Sequence, residues 1–119
     1  MHAHNNLLNL VTFNSVVALT NSNFESKYLM KFETQLTAEF AELKALLRAK
    51  DWAPSERLAH RCKGICDTMG AEALSKRLRY IERSCRSAKP RLVQEIIDQL
   101  PDMLKKTCAQ MKQVLRDLP

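Results

Sequence analysis

Apolar residues recur every three or four positions through most of the chain, a spacing that long amphipathic helices satisfy and strands do not. From about 24 to 50, Leu29, Phe32, Leu36, Phe40, Leu43 and Leu47 share one face, opposite Glu, Lys and Thr. Leu58, Cys62, Ile65 and Met69 repeat the pattern over 54–69, and Leu74, Leu78, Ile81 and Cys85 over 71–86. From Pro90 almost to the end, Val93, Ile97, Leu100, Leu104, Cys108, Met111 and Leu115 carry a last stripe. A shorter apolar stretch, 7–19, with Phe13, Val16 and Val17, reads as a small packing helix. Two glycines and four prolines leave little turn material, so the elements are few and long.

The breaks fall between these stripes. Thr20–Asn23 is polar, and Ser22 or Asn23 can cap the helix that follows. Asp51-Trp52-Ala53 forms a turn, and Pro54 suits the first position of the next helix. Gly70 supplies a left-handed stop. Ser87–Lys89 connect to Pro90, while Pro101 lies inside the last stripe and should kink that helix or divide it. Such helices with short connections predict an all-α, antiparallel up-and-down four-helix bundle with a short additional N-terminal helix. The length of 119 residues fits one domain, read as 13–118 after a tail of 1–12. No apolar run approaches the roughly 20 residues of a membrane span. The first residues lack a signal peptide's pattern, which points to a cytoplasmic domain without direct membrane contact.

One histidine sits where the core does not need it. His60 is two residues from both Leu58 and Cys62, about 160° around the helix from either, and so faces outward. Lys63, Gly64 and Asp67 follow at three, four and seven residues along the same exposed line. A mid-helix glycine costs roughly 1 kcal/mol relative to alanine. Gly64 therefore reads as a cleared spot where something bulky approaches the imidazole. With the next helix antiparallel about Gly70, Glu82, twelve residues beyond the turn, comes level with His60, ten before it. Glu82 can then accept a hydrogen bond from Nδ1–H and leave Nε2 as the attacking nitrogen. Its alternative is a plain ion pair with Arg79 or Arg86, which share its face.

These residues carry a resemblance. Ala59-His60, Lys63-Gly64, Gly70-Ala71 and Leu74 are similar to the AH-xx-KG-xxxxx-GA-xx-L signature of histidine-containing phosphotransfer (HPt) domains, and Asp51-Trp52 and Ile81-Glu82 resemble that family's flanks. The resemblance implies the same bundle and a phosphorelay carrier. His60 would take a phosphoryl group from one receiver aspartate and pass it to another, with a Gln or Glu at the place of Glu82 fixing the ring. It implies the receivers of a sensor kinase and of a response regulator as partners, with Mg²⁺ supplied by the receiver and no cofactor of the chain's own. It also implies either a C-terminal module of a bacterial hybrid sensor kinase, tethered to the membrane through its parent, or a free-standing carrier. Lys63 would help neutralise charge. Arg79 and Arg86 would meet phosphoryl oxygens, and Arg61, Gly64 and Asp67 would join the docking surface.

Charge and cysteines narrow the alternatives. The net charge is +6, and residues 52–91 hold ten Lys/Arg against four Asp/Glu while the remainder holds nine of each. The whole excess surrounds His60. A nucleic-acid patch would explain it, yet no aromatics interleave it and no helix-turn-helix accompanies it. A basic collar meeting an acidic partner explains it more simply, with Arg57, Arg61, Arg77 and Arg83 as general field. Cys62, Cys66, Cys85 and Cys108 read as buried reduced thiols. Zinc on His60, Cys62 and Cys66 is disfavoured, because the histidine faces away from both thiols, so no metal is expected. No glycine-rich nucleotide loop or acidic metal cluster is present, so the chain should neither bind ATP nor phosphorylate itself. Nothing calls for a dimer. A helical interaction domain without phosphotransfer is the leading rival.

Overall fold

A computed structural model describes residues 7–20, 24–87 and 92–118. Helix α1 spans Leu10–Leu19, α2 Met30–Arg48, α3 Trp52–Met69, α4 Glu72–Arg86 and α5 Val93–Arg116. No strand occurs among the described residues. Helix α2 packs on α3 and α5, and α4 packs on α3 and α5, which closes a four-helix bundle; α1 lies against α3. Capping by Ser22 or Asn23, and helix initiation at Pro90, lie outside the described residues.

The expected stripes are the core. Leu29, Phe32, Leu36, Phe40, Leu43 and Leu47 are buried, as are Leu74, Leu78, Ile81 and Cys85. Each buried leucine or phenylalanine contributes about 1.5–3 kcal/mol. On α3 the buried set is Ser55, Leu58, Ala59, Cys62, Cys66 and Met69, while Ile65 is only partly buried. The stripe is rotated toward Ala59 and Cys66 because α3 and α4 meet most closely, through small side chains. Ser75 and Ser84 do the same on α4.

Four boundaries differ from the sequence expectation. Residues Phe24–Leu29 form a π-helical turn ahead of α2, in which Phe24 meets Phe13 edge-on at 5.5 Å and stacks on Tyr28. Helix α2 ends at Arg48 because Lys50 adopts a φ of +57° and its N–H turns back to the Leu47 carbonyl. Helix α3 begins at Trp52, so Pro54 stands in its third position. There too its missing N–H has no intrahelical partner to lose. Finally, Pro101 does not divide α5, which runs through it as one helix. The proline ring is exposed, and Ile97, Leu100, Leu104 and Cys108 continue the buried face past it.

Gly70 binds three segments together. Its φ is +75°, and the Gly70 and Ala71 N–H groups close the end of α3 on the Asp67 and Cys66 carbonyls. Its own carbonyl accepts from Asn9 N–H at 2.8 Å, and Ala73 N–H reaches the Leu7 carbonyl. The chain ahead of α1 is thereby pinned to the α3–α4 turn, and Asn9 caps α1 through Thr12 N–H. A Cβ on Gly70 would lie 2.8 Å from the Asn9 carbonyl oxygen and 2.9 Å from Phe13 N. Around Gly64, by contrast, a Cβ would meet nothing within 4 Å. Gly70→Ala should therefore destabilise the fold by about 1–3 kcal/mol, whereas Gly64→Ala should stabilise it by about 0.5–1 kcal/mol. Urea denaturation of both variants checks the opposite signs.

Candidate functional site

His60 projects from the middle of α3, its side chain 72% exposed. Glu82 stands opposite on α4 with its side chain only 9% exposed, and its Oε2 lies 2.9 Å from His60 Nδ1. The pairing follows from the hairpin. The chain reverses at Gly70, and both helices extend from that turn toward the same end of the bundle at 1.5 Å per residue, so ten residues back and twelve forward arrive at one level. A carboxylate can only accept, so Nδ1 carries the proton and the neutral ring keeps its lone pair on Nε2.

The same Oε2 accepts a second bond, from Arg86 Nη2 at 3.0 Å. The two alternatives for Glu82 are thus both realised. A nearly buried carboxylate is costly unless it is hydrogen-bonded, and the ring and the guanidinium meet that need together. Arg86 Nε in turn donates to Glu56 Oε2 at 2.8 Å. That bond and the Glu56 charge hold the guanidinium above its ordinary basicity.

His60, Lys63, Arg79, Glu82, Arg83 and Arg86 line an open cleft of about 330 Å³. Arg83, assigned above to the general field, therefore belongs to the cleft wall. It lies four residues after Arg79 and three before Arg86, so the helical spacing already placed it between them. Glu56 was missed, although the count from Gly70 that pairs His60 with Glu82 also sets Glu56, fourteen residues before the turn, level with Arg86, sixteen after it. Arg61 is not brought to the cleft; its Nε faces Glu39 Oε1 on α2 at 3.4 Å. Gly64 is exposed on the outer line of α3.

Asp67 is engaged inside its own hairpin. Its Oδ2 accepts from Lys63 Nζ at 2.8 Å, and its Oδ1 accepts from the Ser75 hydroxyl at the start of α4. Desolvation pushes its carboxyl upward. The hydrogen bonds from Lys63 and Ser75, with the charges of Lys63 and Arg79, outweigh that and leave it below the ordinary value. Lys63 is thus held on the cleft wall by a carboxylate one turn further along α3.

All four cysteines are free and buried. Burial pushes Cys66 and Cys108 up to about 12 and Cys85 to about 11, and pushes Cys62 higher still. The Cys62 thiol donates to Glu39 Oε1 at 3.3 Å. Cys62 and Cys66 point into the core while His60 points into water, so the three do not converge on a metal. No group of metal-ligating side chains occurs among the described residues. Among them, too, no helix is long and apolar enough to cross a membrane.

The bundle thus presents an imidazole to water, with a nearly buried carboxylate against its Nδ1 and cations lining the cleft beside it. The family model for the Hpt domain matches residues 27–110, which takes in α2, α3, α4 and most of α5, and the chain belongs to that family. Hpt domains are histidine phosphotransfer modules of phosphorelay signalling, without a kinase site of their own, and they interact with receiver and kinase domains of two-component systems. No curated protein and no solved structure matches the chain.

The Asp67 bonds have a pH signature. A carboxyl whose native value is lowered contributes stability that is present above its unfolded value, near 3.8, and lost as the pH falls through the lower native value. Asp67→Asn should therefore lose stability near neutrality and show a shallower decline below pH about 4. Urea midpoints measured from pH about 2 to 7 in both proteins check this.

Proposed function

We propose that His60 is the phosphoryl acceptor and donor, taking the group from a receiver aspartate and returning it to another. The hydrogen bond from His60 Nδ1–H to the buried Glu82 carboxylate carries this reading. It aims the Nε2 lone pair outward without any need to remove a proton first. In the forward step Nε2 attacks the phosphorus of an aspartyl phosphate. The N–P bond forms, the P–O bond breaks, and the aspartate leaves as a carboxylate. The ring takes on imidazolium character, and Glu82, already on Nδ1, offsets that charge. In the reverse step the carboxylate attacks and the neutral ring leaves.

Such a transfer needs in-line placement and charge neutralisation more than enclosure. A rigid helix supports the first. Lys63, Arg79, Arg83 and Arg86, which line the cleft, support the second, with Mg²⁺ belonging to the receiver. The open space at Gly64 suits the rim of a docking receiver, and the basic excess around His60 suits its acidic pocket. Asp67 acts in this scheme by holding Lys63, and Arg61 by the field it adds at the edge. The bundle, together with α1 and the segment from Leu7 that packs on the Gly70 turn, would then serve, as a monomer on the cytoplasmic side, between the receivers of a sensor kinase and of a response regulator, either within a hybrid kinase or as a separate carrier.

Incubation with a phosphorylated receiver and Mg²⁺ should place acid-labile, base-stable phosphate on the chain, and His60→Gln should abolish it. Glu82→Ala should slow labelling roughly 10- to 100-fold, the loss of a hydrogen bond to a charged group. Gly64→Arg should slow it about tenfold or more through misplacement of the partner, with helicity kept. Absence of labelling on the wild-type chain would leave the domain as a helical interaction module without phosphotransfer. Binding to nucleic acid that weakens steeply with salt would point to the basic patch instead.

A further inference from the structure

Arg86 is the last residue of α4, and it is held at two points. Nε donates to Glu56 on α3 and Nη2 to Glu82 on its own helix. A guanidinium has five N–H groups, so these two bonds leave three for another anion. The side chain is 63% exposed at a helix end, where an untethered arginine samples many rotamers. Glu56 lies four residues before His60, so its carboxylate anchors Arg86 one turn along α3 from the imidazole.

We infer that Glu56 is a positioning residue for phosphoryl transfer, acting through Arg86. By holding Nε, it keeps the remaining N–H groups of the guanidinium turned toward the group carried on His60, without drawing Arg86 away from Glu82. Glu82 alone does not do this. Its single shared oxygen pulls Arg86 toward the ring proton, and the second anchor on α3 fixes the plane of the fork across the cleft. The inference rests on the phosphoryl-carrier reading, and it adds a residue that touches neither the ring nor any group bound to it.

The test is a double-mutant cycle on the rate of transfer from a phosphorylated receiver to His60, with Mg²⁺ present. Glu56→Ala should slow transfer about two- to fivefold, the range of a partly exposed ion pair. It should have no further effect in an Arg86→Ala background. Glu56→Gln, which keeps an acceptor oxygen for Nε, should recover at least half of the loss. Helicity and urea midpoints of the Glu56 variants report any folding defect. An unchanged rate in Glu56→Ala, or the same factor in both backgrounds, would overturn the inference while leaving the carrier reading intact. Failure of the wild-type chain to accept phosphate on His60 would end both.

Discussion

The left-handed turn at Gly70 is the constraint on which the site depends. It ends α3, reverses the chain and sets the level at which every α4 side chain meets α3. Its lack of a Cβ also lets the backbone at Asn9 and Phe13 press against it, so the same residue that pairs His60 with Glu82 docks the N-terminal helix. A shift of one residue at this turn would rotate α4 by about 100° relative to α3. Glu82 would then leave the groove and the imidazole would lose its orienting partner.

The site is an electrostatic balance built around one carboxylate. Glu82 is nearly buried and takes the ring proton and a guanidinium on a single oxygen. Arg86 is shared again with Glu56, and Lys63 is paired with Asp67, which is braced by Ser75. Lys63 and Arg86 are therefore held in place before any anion arrives, which in the proposed transfer would spare reorganisation at the moment of reaction. Arg86 is well exposed, which keeps its pairs individually weak. In the proposed transfer such pairs would orient the guanidinium without competing strongly with an incoming phosphoryl group.

Periodicity made the bundle readable, because stripes such as Leu36–Phe40–Leu43–Leu47 admit one reading. His60 and Gly64 stood out because each contradicts what a surface helix wants. Glu82 was reachable by counting residues from the turn. What stayed hidden depended on contacts between helices. Small residues on facing helices turned the buried face of α3 toward Ala59 and Cys66 and left Ile65 at its edge. Tertiary packing carried α5 through Pro101 with the ring in solvent. Asp67 looked outward by spacing, yet Ser75 from the next helix holds it. Glu56 and Arg86 stand fourteen residues before and sixteen after Gly70, the same offset as His60 and Glu82, so the count that reached Glu82 also led to this pair.

The tautomer of one ring tests the account most directly. Nitrogen-15 NMR of the unphosphorylated protein in alkaline buffer should show a single neutral form of His60, with the proton on Nδ1 and Nε2 bare. A proton on Nε2, or a fast average over both nitrogens, would contradict the central claim that Glu82 prepares Nε2 as the nucleophile.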